Sequence, residues 1–250
     1  MRTDVLEYHE YYRSALGRAT TQFIAHHLTQ IWGQGESLSI AGFGYAEPYI
    51  NKFSKAERRL LISPGGQGVI RSPIDGGNVA CLSSDHHWPL ADASVDRVMI
   101  VHGLEEAPAP AKLMREAARV LVDDGRIIIV VSHRRGLWSM IETTPFSAGR
   151  PYLPRQLNAL LKSAHLRARV KNAALFFPPF RLPLILKATG SWERVGAKLW
   201  PGFGGVIMIE AEKDLLMPAR AAQRPRGVLK PTIVANPAAS SVRPVINPNK

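Results

Sequence analysis

The feature that most constrains this chain is a series of short apolar runs set between longer segments of helical pattern. The runs cover Leu38–Phe43, Arg59–Ile62, Val79–Leu82, Arg97–Val101 and Arg126–Val131. Val98, Met99, Ile100 and Val101 are apolar without alternation, the pattern of a strand covered on both faces. Between the last two runs, Ala111–Leu121 sets Leu113, Met114, Ala117 and Leu121 on one helical face, and Asp124-Gly125 turns the chain. Strands alternating with helices at this spacing imply parallel pairing through right-handed crossovers. The expected fold is a doubly wound, Rossmann-like α/β sheet, with its ligand at the carboxyl ends of the strands.

The first run ends in Gly42-Phe43-Gly44-Tyr45-Ala46, and Pro48 opens a helix expected to reach Ala56. Strand, glycine turn and helix form a layout in which backbone approaches a ligand closely and free N–H groups face it. By itself the pair of glycines is equally consistent with a tight turn.

Residues 4–32 read as helix with a break near Ser14 and Gly17, and form an N-terminal helical extension, 1–36. Tyr8, Tyr11 and Tyr12 share one side of its first piece, at a pocket mouth or packed on the domain. After the fifth run come an irregular stretch from Gly136 to Arg150, a helix over Pro154–Ala164, a sixth strand over Ala168–Phe177, an amphipathic helix over Leu182–Leu199 and a final strand over Gly205–Glu210. The α/β domain is thus expected over 37–216, without an internal repeat.

Half of the net charge of +12 sits in residues 217–250, which hold six cations, six prolines and no acid. Proline at that density blocks helix and ladder alike, so a disordered basic tail is expected. It lacks aromatic residues for base stacking, which argues against nucleic acid as the partner. No run approaches the roughly 20 apolar residues of a membrane span. The acidic, aromatic start is unlike a signal peptide, and a single cysteine, Cys81, rules out an internal disulfide. A cytoplasmic protein is expected.

Several segments resemble the class I S-adenosylmethionine-dependent methyltransferases, of the small-molecule "type 11" branch. They are Trp88-Pro89-Leu90-Ala91-Asp92-Ala93-Ser94-Val95-Asp96, then His102-Gly103-Leu104-Glu105, then Leu113–Leu121 followed by Asp124-Gly125-Arg126. Together with the first strand they span roughly 37–133, and Arg150–Leu161 resembles a later helix of the family. Gly44-Tyr45-Ala46, with Arg134-Arg135-Gly136-Leu137-Trp138, is similar to a subgroup whose first loop diverges from the usual pattern. The resemblance implies a seven-stranded sheet, mostly parallel with the last strand antiparallel, and S-adenosylmethionine as cofactor. It implies that Gly42, Gly44, Tyr45 and Ala46 form the cofactor loop, with Ser63 ending the second strand and Asp85 near the adenine. The acid typical of the first loop falls on Gly42 or Ile40, and the ribose-binding acid on Ile62-Ser63-Pro64, where no carboxylate stands. A hydrogen bond to a charged group contributes roughly 1.5–3 kcal/mol, so cofactor binding weaker by about one to two orders of magnitude is expected.

Methyl transfer proceeds largely through proximity and orientation, with a general base where the acceptor is a hydroxyl or protonated amine. His102, closing the fourth strand, is the first choice of base and His133 the second; each is otherwise a strand-end residue bonded to backbone. Arg134 and Arg135 would face a carboxylate or phosphate of the substrate, or solvent, and Trp138 would enclose an apolar part of it, or pack in the core. Adjacent His86 and His87 have no metal-site spacing, so no metal is expected. The expected function is methyl transfer to a small molecule. The alternative is a methyltransferase-like domain that has lost catalysis and serves as a binding or regulatory partner of another protein.

Overall fold

The computed structural model describes residues 2–74, 77–180 and 183–214. The expected basic tail therefore lies outside the described residues.

Seven strands form one sheet: β1 Ser39–Gly44, β2 Arg58–Pro64, β5 Ala80–Ser83, β6 Val95–Val101, β7 Leu121–Ser132, β8 Leu166–Ala174 and β9 Val206–Lys213, with a small hairpin of β3 Pro73–Ile74 and β4 Gly77–Asn78 beside it. The order is β5-β2-β1-β6-β7-β9-β8. Pairing is parallel from β5 to β7, and β9 runs antiparallel between β7 and β8. The direction of travel reverses between β1 and β6, which opens a crevice at their carboxyl ends.

Successive strand residues point to opposite faces, and the core divides accordingly. Ile40, Met99, Val101, Ile128 and Val130 join one apolar cluster with residues of helices α1 (Val5–Arg13), α2 (Ala15–Trp32) and α3 (Glu47–Ile50). Ala41, Phe43, Val98, Ile100, Ile127 and Ile129 join the other, with helices α4 (Pro110–Val120) and α5 (Pro154–Ser163). Both faces are covered, as continuous apolar strands require.

Local signals explain the first helices. The Asp4 side chain accepts from Leu6 N at 2.8 Å and caps α1, while the Ser14 side chain accepts from Gly17 N at 3.0 Å and caps α2. Ser14 is the break read from the sequence. A Cβ on Gly17 would collide with Tyr11 O, so the two helices meet this closely only with glycine there.

Four boundaries differ from expectation. The helix foreseen from Pro48 to Ala56 stops at Ile50, because the backbone of 55–57 is taken by the loop before β1: Ser37 N donates to Lys55 O, Lys55 N to Gln34 O and Glu57 N to Leu38 O. Asp124-Gly125 lies inside β7 as an irregularity, where the register against β6 jumps from Val95↔Leu121 to Arg97↔Arg126. The sixth strand runs from Leu166 to Ala174, and the long helix from 182 is two, α6 Pro183–Lys187 and α7 Thr189–Leu199.

Candidate functional site

The crevice is built from the loops that follow four strands. After β1 comes Gly44, with φ +83°, then Tyr45, whose N donates to Val101 O at 2.8 Å. A Cβ on Gly44 would strike Val101 O and stand 2.8 Å from Gly103 N, and one on Gly42 would stand 2.7 Å from Ala46 Cβ. The glycines thus permit the loops after β1 and β6 to lie against each other; close approach is the reason for glycine, and the approaching partner is the chain itself.

After β6, His102 takes the left-handed conformation, φ +53°, which turns its ring back over the strand ends. The ring is 3% exposed and contacts Phe146 and Tyr8 at centroid distances of 4.6 and 4.9 Å. Burial pushes its pKa from 6.5 down to about 3. Tyr49 donates to Tyr12 Oη at 3.0 Å, and Tyr12 Oη lies 2.7 Å from His102 Nε2. With that direction the Tyr12 hydroxyl donates to Nε2, the acceptor nitrogen of a neutral imidazole. Glu105, three residues on, accepts from Ser132 N at 2.9 Å, and burial pushes its carboxyl up to about 7. Its second oxygen is buried without a hydrogen-bond partner.

The space above these loops is filled by α1 and the residues before it. Arg2 Nη2 meets Asp85 Oδ2 at 2.6 Å, with the two side chains 8% and 11% exposed. Glu106 accepts from Thr3 N and Thr3 Oγ1, both at 2.9 Å, and from Tyr8 Oη at 3.3 Å. Val5 N donates to Gln67 O at 2.8 Å. The Tyr45 ring is sandwiched between Tyr8 and Tyr12, at 5.1 and 5.3 Å and within 19° of parallel to each. What remains beside Gly44, Ser63 and Ala80 is a void of about 20 Å³. Small-molecule sites commonly occupy roughly 300–1,000 Å³.

The structure therefore brings Gly42, Gly44, Tyr45, Ala46, Ser63, Asp85 and His102 to one end of the sheet, and puts the tyrosines of α1 on top of them. The remaining sequence-selected residues lie elsewhere around that end. His133 is buried with Nδ1 3.1 Å from Gly204 O. Arg134 and Arg135 are exposed. Trp138, read as enclosing substrate or packing in the core, is 1% exposed: its Nε1 donates to Phe177 O at 2.8 Å and its ring packs on Phe146 and Phe177, so it holds the loop after β7 to the core. Sequence reasoning missed Arg2, Glu105, Glu106 and Gln67, whose partners lie far along the chain or are absent.

The segment from Trp88 to Asp92 is fixed by α4. Glu116 accepts from Trp88 N at 2.6 Å, and Arg119 reaches Leu90 O at 3.0 Å and the carboxylates of Glu116 and Asp92. This arrangement lies within a match to the methyltransferase-domain family, whose sequence model covers residues 58–129. An S-adenosylmethionine-dependent methyltransferase of Thermotoga maritima superposes with a TM-score of 0.55 over 84% of this chain and 96% of its own, at 16% identity. The fold is that of the class I methyltransferases. A Haloferax volcanii chain solved in complex with a methyltransferase activator superposes at 0.54, over 81% and 96%, with 13% identity. The Escherichia coli protein YafS is 32% identical over 138 residues, and the chain spans about half the length of that relative, 52%. The methyltransferase match begins at Arg58, so β1 and the glycine loop stand outside it. Among the described residues, no helix is long and apolar enough to cross a membrane, and no three His, Cys, Asp or Glu are grouped to hold a metal.

Two observations bear on whether a polar cofactor fits this crevice. With α1 seated there is no room. Yet Gln67, in the loop after β2, is 1% exposed and both polar atoms of its amide lack a partner, as does one oxygen of Glu105. Buried polar groups are otherwise nearly always paired.

Proposed function

We propose that this protein transfers a methyl group from S-adenosylmethionine to a small-molecule acceptor, and that α1 withdraws from the crevice to admit the cofactor. The observation that supports this reading is the crevice at the strand-order reversal, carrying the glycine loop of a methyltransferase fold and an orphaned amide beneath α1. Bound there, the cofactor supplies an electrophilic methyl on a sulfonium.

The chain supplies placement. Gly42, Gly44, Tyr45 and Ala46 hold the cofactor through backbone and ring edge, Ser63 and Gln67 face its sugar, and Asp85, released from Arg2, faces its base. His102 takes the acceptor's proton after Tyr12 departs, since its folded pKa reflects burial under α1. His133 is the second choice for that step, and Arg134 and Arg135 stand where an anionic group of the acceptor would pass. Withdrawal of α1 costs the Arg2–Asp85 and Glu106 contacts, so the apparent affinity is the intrinsic one scaled by the fraction of molecules with α1 withdrawn.

Calorimetric titration with S-adenosylhomocysteine tests the reading, using wild type and Gln67→Leu. Wild type binds; Gln67→Leu binds about tenfold or more weakly and melts at higher temperature without ligand, because an unpaired buried amide is gone. No heat at millimolar ligand in wild type refutes the proposal.

A further inference from the structure

A second cavity lies on the other side of Tyr45. It is a cleft of about 560 Å³ between α1, α2 and the loop into α3. One face of α2 lines it with Arg18, Thr21, Gln22, Ala25 and His26, at helical spacing. Its floor is the buried Tyr12, Tyr45 and Ala25, and Pro48 adds apolar surface.

The charge around this cleft is lopsided. Arg13, Arg18 and Lys52 stand at its rim, against a single carboxylate, Glu47. Glu47 turns elsewhere: one oxygen lies 3.4 Å from Tyr45 Oη and the other 3.5 Å from Ser72 Oγ. Among the described residues, none of the three cations has a carboxylate within 4.0 Å; Arg18 donates instead to the carbonyl of Arg13. Other arginines of the surface do find acids, as Arg167 and Arg169 do with Glu212 and Arg119 with Asp92. Three uncompensated cations around a concavity raise the local potential and gather anions. Guanidinium forks match the oxygens of carboxylate and phosphate.

We propose that this cleft binds a small organic oxyanion, with its phosphate or carboxylate between Arg13, Arg18 and Lys52 and its apolar body against Tyr12, Tyr45 and Pro48. The site is distinct from the crevice over Gly44 and is complete with α1 seated, since Tyr12 and Arg13 belong to that helix. It touches the crevice through Tyr45 and Glu47, which line both.

The test is calorimetric titration of full-length protein with phenyl phosphate, inorganic phosphate and benzyl alcohol. Arg13 and Lys52 are exposed, so Arg13→Gln/Lys52→Gln keeps the fold, which an unchanged melting temperature verifies. Phenyl phosphate binds saturably with one site, tighter than inorganic phosphate; benzyl alcohol gives no saturable heat. The double variant weakens phenyl phosphate about tenfold or more, and Arg18→Gln weakens it in the same direction. Equal affinity in wild type and the double variant overturns the proposal. So does benzyl alcohol binding as tightly as phenyl phosphate, or no saturable binding of either anion.

Discussion

His102 and Glu105 stand three residues apart at the end of β6 and are perturbed in opposite senses by the same burial. His102 has its pKa lowered from 6.5 to about 3, and Glu105 has its raised from 4.5 to about 7. Stability rises with pH wherever the unfolded chain binds more protons. For His102 this holds between 3 and 6.5, so its contribution is lost as pH falls through that window. For Glu105 the folded state holds the extra proton between 4.5 and 7, so its contribution is lost as pH rises there. The two slopes oppose each other between 4.5 and 6.5. His102→Asn, which tolerates the left-handed backbone, removes one of them. The stability of wild type minus that of the variant should fall by roughly 1 kcal/mol per pH unit from pH 6.5 to 4, read from urea denaturation at a series of pH values. A difference that stays constant across that range would exclude the buried neutral imidazole. None of this was legible beforehand. The sequence shows a histidine at a strand end, but its partners, Tyr8, Tyr12 and Phe146, are 44 to 94 positions away and only the fold brings them together.

At the scale of elements, the strands were readable because each is a compact apolar run bounded by turn residues, and burial on both faces leaves little other choice. Helices were readable where one face is apolar, as in α4. They were misjudged where the backbone finds partners outside the helix, as at 55–57. The placement of α1 was open, since its tyrosines suit a pocket mouth and a packed interface alike. In the structure they are both, closing the crevice by packing into it. The closure rests on few polar ties, so Arg2→Ala should loosen it selectively. Loss of the guanidinium leaves Asp85 unpaired, which favours the lifted state where that carboxylate meets water. Amide hydrogen exchange within residues 3–12 should speed up about tenfold or more, equivalent to roughly 1.4 kcal/mol, while β6 and β7 stay protected. Equal exchange in the two proteins would mean that the ion pair does not hold α1 down.

Across the whole molecule, one helical layer and the sheet are tied together at a buried carboxylate. Glu210, in β9, accepts from Trp32 Nε1 at 3.0 Å and lies 3.6 Å from Arg126 Nη1. The tie joins the end of α2 to the antiparallel strand, 178 positions apart. Trp32→Phe keeps most of the ring volume and removes the donor, so it should cost about 1–3 kcal/mol in the urea midpoint without changing the slope. Trp32 lies on the buried face of α2, and its hydrogen bond needed a strand that the sequence places at the far end of the domain.

The seat of α1 also sets a timetable. Tyr11 docks on Phe146, and Tyr8 and Tyr12 dock on His102, so they leave the ribosome roughly a hundred residues ahead of those partners. At ordinary synthesis rates that interval is on the order of ten seconds. Throughout it the growing chain carries an exposed aromatic helix with nowhere to go, and β1, β2 and β6 come together with the crevice still open. The helix that closes the fold is among its earliest parts to be made and among its last to be placed.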